Sequence, residues 1–188
     1  MTTATTTTTP TLIPTGTWTT DAAHSKAGFA VKHMGISTVR GEFTDFAGEL
    51  EIGDDLSTAK VHGKIQVASV DTGEDQRDAH LRSPDFFDAE TYPEMTFAST
   101  RIEQVDDEVF RITGDLTLHG VTKEIVLHAD VLGTDVDPMG NDRVGLEITG
   151  QLSRGDYGMK FNQALGSGNL LVADKVTLAL DIEAIRKA

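Results

Sequence analysis

Six histidines hold most of the reactive chemistry in this sequence: His24, His33, His62, His80, His119 and His128. They form no HxH or HExxH pattern, and no two share a helical face at the spacing a protein-held zinc needs. His62, His119 and His128 fall on the polar phase of alternating segments and are expected to face solvent. His24, His33 and His80 sit in more distinctive surroundings. If they and nearby carboxylates met at one mouth, acid–base or metal-assisted chemistry on a lipid would follow, and this is the enzymatic reading. Nucleophilic catalysis has less behind it. No Gly-x-Ser-x-Gly elbow occurs, and Ser25, Ser37, Ser69, Ser83, Ser99, Ser153 and Ser167 lack a local partner pattern. Gly166-Ser167-Gly168 reads as a loop, because no Walker lysine or dinucleotide fingerprint follows it. Cysteine is absent, which excludes disulfides, thiolate catalysis and Cys-held metals within the chain. No catalytic residue, metal ligand or cofactor is assigned on these grounds.

The chain has 188 residues, one domain's worth. Its 16 Lys+Arg against 30 Asp+Glu leave a net charge of −14. Such a balance argues against a general nucleic-acid binder, which needs a cationic face, and against electrostatic docking on anionic lipid. Met1 to Thr20 carry no charged side chain, and Thr5 to Thr9 form an unbroken threonine run. The segment has neither the basic start nor the continuous apolar stretch of a secretory signal. Residues 1–14 therefore read as a disordered threonine-rich tail, residues 15–188 as the domain, and a cytoplasmic location is expected. No stretch approaches the roughly 20 apolar residues of a membrane-spanning helix, so no integral membrane contact is expected.

The histidines must be positioned by strands, because the dominant period from Thr17 onward is two. Val61, Gly63 and Ile65 oppose Lys60, His62, Lys64 and Gln66; Phe110, Ile112, Gly114, Leu116 and Leu118 oppose Arg111, Thr113, Asp115 and Thr117; Val176, Leu178, Leu180 and Ile182 oppose Thr177, Ala179, Asp181 and Glu183. Apolar-in, polar-out alternation predicts antiparallel strands. They are expected near 16–20, 26–33, 38–52, 58–70, 94–105, 108–118, 122–133, 142–154 and 174–186. Long strands with short links suit a closed eight-stranded up-and-down barrel, which leaves no exposed edge; a β-sandwich is the alternative. Residues 71–88 break the pattern. They predict a short helix near 73–81, then a turn begun by Ser83-Pro84 and packed down by Phe86 and Phe87. This crossover is either a plug or a plain connection.

A barrel of eight strands is filled by side chains or holds one small ligand. Gly63, Ser69, Ser99, Gly114 and Gly150 fall on the inward phase, where small residues either leave room or mark bulges. An interior with room would be apolar and suited to a lipid-like guest.

Six segments in order also resemble the YceI family of bacterial lipid-binding proteins. They are Asp21-Ala-Ala-His-Ser25 with Phe29-Ala-Val-Lys-His33; Val39-Arg-Gly-Glu-Phe43 with Phe46-Ala-Gly48; Arg77-Asp-Ala-His-Leu-Arg-Ser83 with Asp85-Phe-Phe-Asp88; Tyr92-Pro93 with Phe97 and Ser99; Gly114 through Thr122; and Ser153-Arg-Gly-Asp156 with Gly158-Met159. The similarity spans about residues 17–186. It implies a lipocalin-like barrel with a helical segment, and binding of a polyisoprenoid or related amphiphile without catalysis. Many members are exported to the periplasm; this chain has a threonine-rich leader in place of an export signal, and storage, carriage or stress protection stays open. By resemblance and phase, Phe29, Val31, Phe43, Phe46, Phe86, Phe87, Met95, Phe97, Met159 and Phe161 are the candidate ligand contacts. His24, Ser25, Arg77 and His80 are the head-group candidates. Arg77 is suited to a phosphate or carboxylate, or to a structural pairing with Asp78 or Asp85. The expected partner is an isoprenoid or fatty-acid-like molecule, and a homodimer is compatible with the sequence.

Overall fold

The computed structural model describes residues 12–188. The segment read as a tail lies outside the described residues as far as residue 11. Its last part belongs to the domain instead: Ile13 is buried in the core, and the Trp18 indole N–H donates to the Pro14 carbonyl oxygen at 3.1 Å. An isoleucine and a proline carbonyl can be used this way because Trp18 needs both an apolar cover and an acceptor once it is buried.

The strands are β1 (Gly16–Thr20), β2 (Lys26–His33), β3 (Ser37–Phe43), β4 (Phe46–Ile52), β5 (Lys60–Gln66), β6 (Val70–Asp71), β7 (Glu94–Asp106), β8 (Val109–Leu118), β9 (Val121–Val136), β10 (Asp142–Ser153) and β11 (Val172–Arg186). They make an antiparallel barrel of eight legs. β1 and β2 are two halves of one bent leg: Ala184–Arg186 of β11 pair with β1, and residues 172–181 pair with β2. β3 pairs with β2 and with β6, while β4 pairs with β1 and with β5. β5 then pairs with β7, and β7 to β11 follow in sequence order until β11 closes the ring on the first leg. Among the described residues no helix is long and apolar enough to cross a membrane.

The strands expected at 38–52 and 58–70 are each broken, and the breaks coincide with the turn Ala22–His24 that splits the first leg. In the second leg Asp45 takes its N–H to the Ser69 hydroxyl at 3.0 Å and accepts from the Gln66 N–H at 2.9 Å. Val67–Ser69 form a 3-10 turn in the third leg. Three neighbouring legs thus bend at one level, and side-chain hydroxyls replace the ladder bonds that the corner removes. Ser69, expected to face inward, serves this corner.

The helix α1 (Asp75–Arg82) begins two residues later than expected. Glu74 caps it, its carboxylate accepting from the N–H of Gln76 at 3.2 Å and of Arg77 at 2.7 Å. Arg82 fastens the helix to the third leg, donating to the carbonyls of Ala68 at 2.7 Å and Val70 at 2.8 Å. The turns after Ser83 then carry Phe86 and Phe87 under the barrel end. His119 departs from its strand phase. With Gly120 it forms a two-residue turn at φ +52° and +73°, the left-handed backbone that joins such hairpins. Its ring lies 4.7 Å from that of Tyr92, and its Nδ1 is 2.9 Å from the Tyr157 carbonyl, so it is half-buried rather than solvent-facing. His62 and His128 are exposed as expected.

Candidate functional site

The two barrel ends are built differently. The one beside β1 and the C-terminal part of β11 is filled by Trp18, fully buried, with Ile13, Ile52 and Ala59 around it. The other lies under α1, the turns that follow it and the segment 154–171. Between the two is a cavity of about 280 Å³. Its lining is mostly aliphatic and aromatic; Arg154 lies at the covered end, and Glu49, His62 and Lys64 adjoin the cavity along the β4–β5 wall. At about 24 cal/mol per Å³, leaving 280 Å³ unfilled forgoes about 7 kcal/mol of packing. That is comparable with the whole stability of an ordinary domain. A space this large is therefore the candidate site.

The small inward residues act in different ways. A Cβ at Gly63 would meet only the Phe97 Cβ at 3.9 Å, so this glycine leaves open space, and it stands directly opposite Gly48 in the β4–β5 pair. Gly114 and Gly150 leave none. A Cβ at Gly114 would lie 2.5 Å from the Phe97 ring, and one at Gly150 2.5 Å from Leu127. Those side chains use the missing Cβ to lie flat on the backbone. Ser99 marks a bulge, where its hydroxyl accepts from the Val61 N–H at 2.8 Å.

Of the apolar candidates, Phe29, Val31, Phe43, Phe46, Phe86, Phe87, Met95, Phe97 and Met159 line the cavity. Phe161 lies outside the lining, its ring 5.1 Å from Phe86 and 4.9 Å from His80, behind the residues that cover the end. The head-group candidates are not in the lining either. His24 pairs with Asp21 at 2.8 Å on the barrel's outside. The Ser25 hydroxyl donates to the Glu183 carbonyl at 3.2 Å and accepts its N–H at 2.9 Å, stitching the bent first leg to β11. Arg77 holds Thr72, through the hydroxyl at 2.7 Å and the carbonyl at 2.9 Å, rather than Asp78 or Asp85. This is the structural role, with a different partner. His80 pairs with Asp85 at 2.8 Å.

The histidines do not converge. His24 neighbours Glu183, whereas His33 pairs with Val172, eleven residues along β11 and about 35 Å of strand away. Asp21, His24 and Glu183 do bring three metal-ligating atoms within 4.8 Å of one another. A guanidinium already serves these carboxylates: Arg143 lies 2.8 Å from Asp21, 2.5 Å from Glu183 and 2.8 Å from Asp137. Arg143 and then His24 hold the Asp21 carboxyl down to about 2. Asn141 and then Arg143 hold Asp137 well below the usual carboxylate range.

Reading the candidates from phase and resemblance left much of the lining unnamed, Trp18 and Arg154 among it. Trp18 lies in a five-residue strand too short to display a phase. Arg154 lies among the recognisable segments, but its strand phase is lost in the 3-10 turn Arg154–Tyr157. Burial pushes its guanidinium pKa down, and burial likewise pushes the Tyr157 hydroxyl up.

Comparison with known proteins agrees with this architecture. The family model for the YceI-like domain matches residues 18–184. A UPF0312 protein of Photorhabdus laumondii is 39% identical over 87% of this chain and 82% of its own length. Protein YceI of Escherichia coli O6:H1 is 37% identical over 89% and 84%. The Campylobacter jejuni YceI protein superposes with a TM-score of 0.72 at 33% identity, covering 84% of this chain and 90% of that one. A polyisoprenoid binding domain from Saccharophagus degradans, with a TM-score of 0.69 at 17% identity over 90% and 98%, shares the fold.

Proposed function

The chain belongs to the YceI-like domain family, and from that premise we propose that it is a non-catalytic carrier or store for a long-chain isoprenoid or a related amphiphile. The observation that carries the reading is the apolar cavity of about 280 Å³ inside a closed barrel. Affinity comes mainly from removing an alkyl or prenyl chain from water, at about 25 cal/mol per Å² before ordering costs. Met95 and Met159 suit a flexible guest because their side chains adapt in shape, and the phenylalanines supply flat apolar area. The guest passes through the end covered by α1 and residues 154–171, since the other end is filled by Trp18. The enzymatic alternative read from the sequence needs His24, His33 and His80 at one mouth, and none of the three is in the cavity lining.

Native mass spectrometry of freshly purified protein, followed by organic extraction, tests this. The expected result is a stoichiometric long-chain adduct that is lost on denaturation. A clean unliganded mass, together with no uptake of added isoprenoid or fatty acid, refutes it. The same spectra count the subunits and so decide whether the chain dimerises.

A further inference from the structure

Arg154 is the anomaly of the cavity. It is 5% exposed, lines the apolar space, and sits with its guanidinium carbon 5.9 Å from the centre of the Phe86 ring. Its hydrogen bonds go to neutral acceptors: the carbonyls of Ala173 at 3.0 Å, Met159 at 2.9 Å and Val172 at 3.3 Å. They occupy three of the five N–H groups that a guanidinium carries. Carbonyl dipoles solvate the cation but leave its charge in place. The carboxylate that acts on it, Asp174, is bound elsewhere, by the Ser153 hydroxyl and by the Gly155 N–H at 2.9 Å. A buried cation without an ion-pair partner is costly in a low-dielectric interior, and an anion brought beside it recovers much of that cost.

We propose that Arg154 is the head-group anchor of this cavity, and that the guest is an amphiphile ending in an oxyanion, a carboxylate or a phosphate, with its tail running into the barrel. This rests on the reading of the cavity as an amphiphile site and assigns the guest's polar end. It replaces His24, Ser25, Arg77 and His80 in that role. The location fits the covered end of the barrel: Phe86 and Met159 lie beside the guanidinium, and the cavity between there and Trp18 is left to the tail. A planar fork with free N–H groups suits two oxygens of one head group.

The test compares hexadecanoate with hexadecanol, which share one chain, by direct binding at pH 8 to the full-length protein and to R154Q. The wild type is expected to favour the acid by about 10- to 100-fold, as charge-assisted hydrogen bonds in a buried site require. In R154Q the ratio is expected to fall to about one. Because the readout is a ratio, general damage to the cavity does not mimic it. A wild-type ratio near one, or a ratio kept in R154Q, overturns the anchor. Binding of neither lipid by the wild type refutes the cavity reading itself, and the anchor with it. Arg154 also holds three carbonyls, so a second readout uses the wild type alone: hexadecanoate labelled with 13C at the carboxyl carbon, titrated by NMR while bound. An anchored carboxyl titrates below the ordinary carboxylate range. One that titrates above it, as burial among apolar side chains alone would cause, overturns the proposal.

Discussion

Replacing Gly63 by leucine should make the protein more stable and a poorer lipid binder at once. Gly63 faces Gly48 across the β4–β5 pair, has no positive φ, and a Cβ there touches only the Phe97 Cβ at 3.9 Å. The new side chain therefore projects into the cavity without displacing backbone. Burying a leucine side chain is worth about 1.5–3 kcal/mol, and removing a glycine from a strand adds about 0.5–1 kcal/mol. A net gain of about 2–4 kcal/mol corresponds to about 4–16 °C in Tm for a chain of this size. The same atoms exclude the guest from space for about four methylenes, at about 0.8 kcal/mol each. The loss of about 3 kcal/mol is roughly a 100-fold rise in Kd. Urea or thermal unfolding of the unliganded protein measures the first quantity, and titration with a fatty acid the second. If G63L destabilises the fold by the roughly 1–3 kcal/mol typical of overpacking, the space beside Gly63 is not there. If stability rises and affinity holds, the guest binds elsewhere.

Three further outcomes follow from other parts of the structure. Asp21 is held at about 2 by Arg143 and His24, so its contribution to stability is present above pH ~4 and is lost as pH falls from 4 towards 2; urea unfolding across that range should show a shallower loss in R143Q, along with lower stability at neutral pH, and parallel curves would contradict the network. The Tyr157 hydroxyl is buried with no partner among the described residues, so Y157F should raise the unliganded protein's stability by about 1 kcal/mol, and a loss of that size by chemical denaturation would mean the hydroxyl has an acceptor. Trp18 is the sole tryptophan, is fully buried and lines the cavity, so emission should be blue-shifted and should change on saturating lipid uptake; a spectrum insensitive to bound lipid would place the guest away from the barrel interior.

Much of the fold was legible because strand alternation is local. Each run such as Phe110–Leu118 states its own phase, and the polar break at 71–88 marks the crossover. The three aligned bends were not legible. Thr44-Asp45 and Val67–Ser69 break their legs only because they meet one corner of the ring. For the site, phase and resemblance together named nine residues that line the cavity, Phe86, Phe87 and Met159 lying outside strands where phase says nothing. Ser25, Arg77 and His80 also lie outside strands, and their partners, Glu183, Thr72 and Asp85, are set by the packed turns and the bent first leg.

The sequence by itself determined a chain of alternating antiparallel strands with a helical crossover, the lack of thiol chemistry, and the family to which the domain belongs. These depend on residue type and spacing alone. Only the tertiary structure decided that Gly63 leaves a void while Gly114 and Gly150 are covered, that Ile13 and Trp18 fill one end, and that the cavity's buried cation is Arg154. The physical reason is that a void is a property of several legs at once. Register sets which side chain lies across from each glycine, and a side chain such as the Phe97 ring can fill the space that its neighbour's missing Cβ leaves.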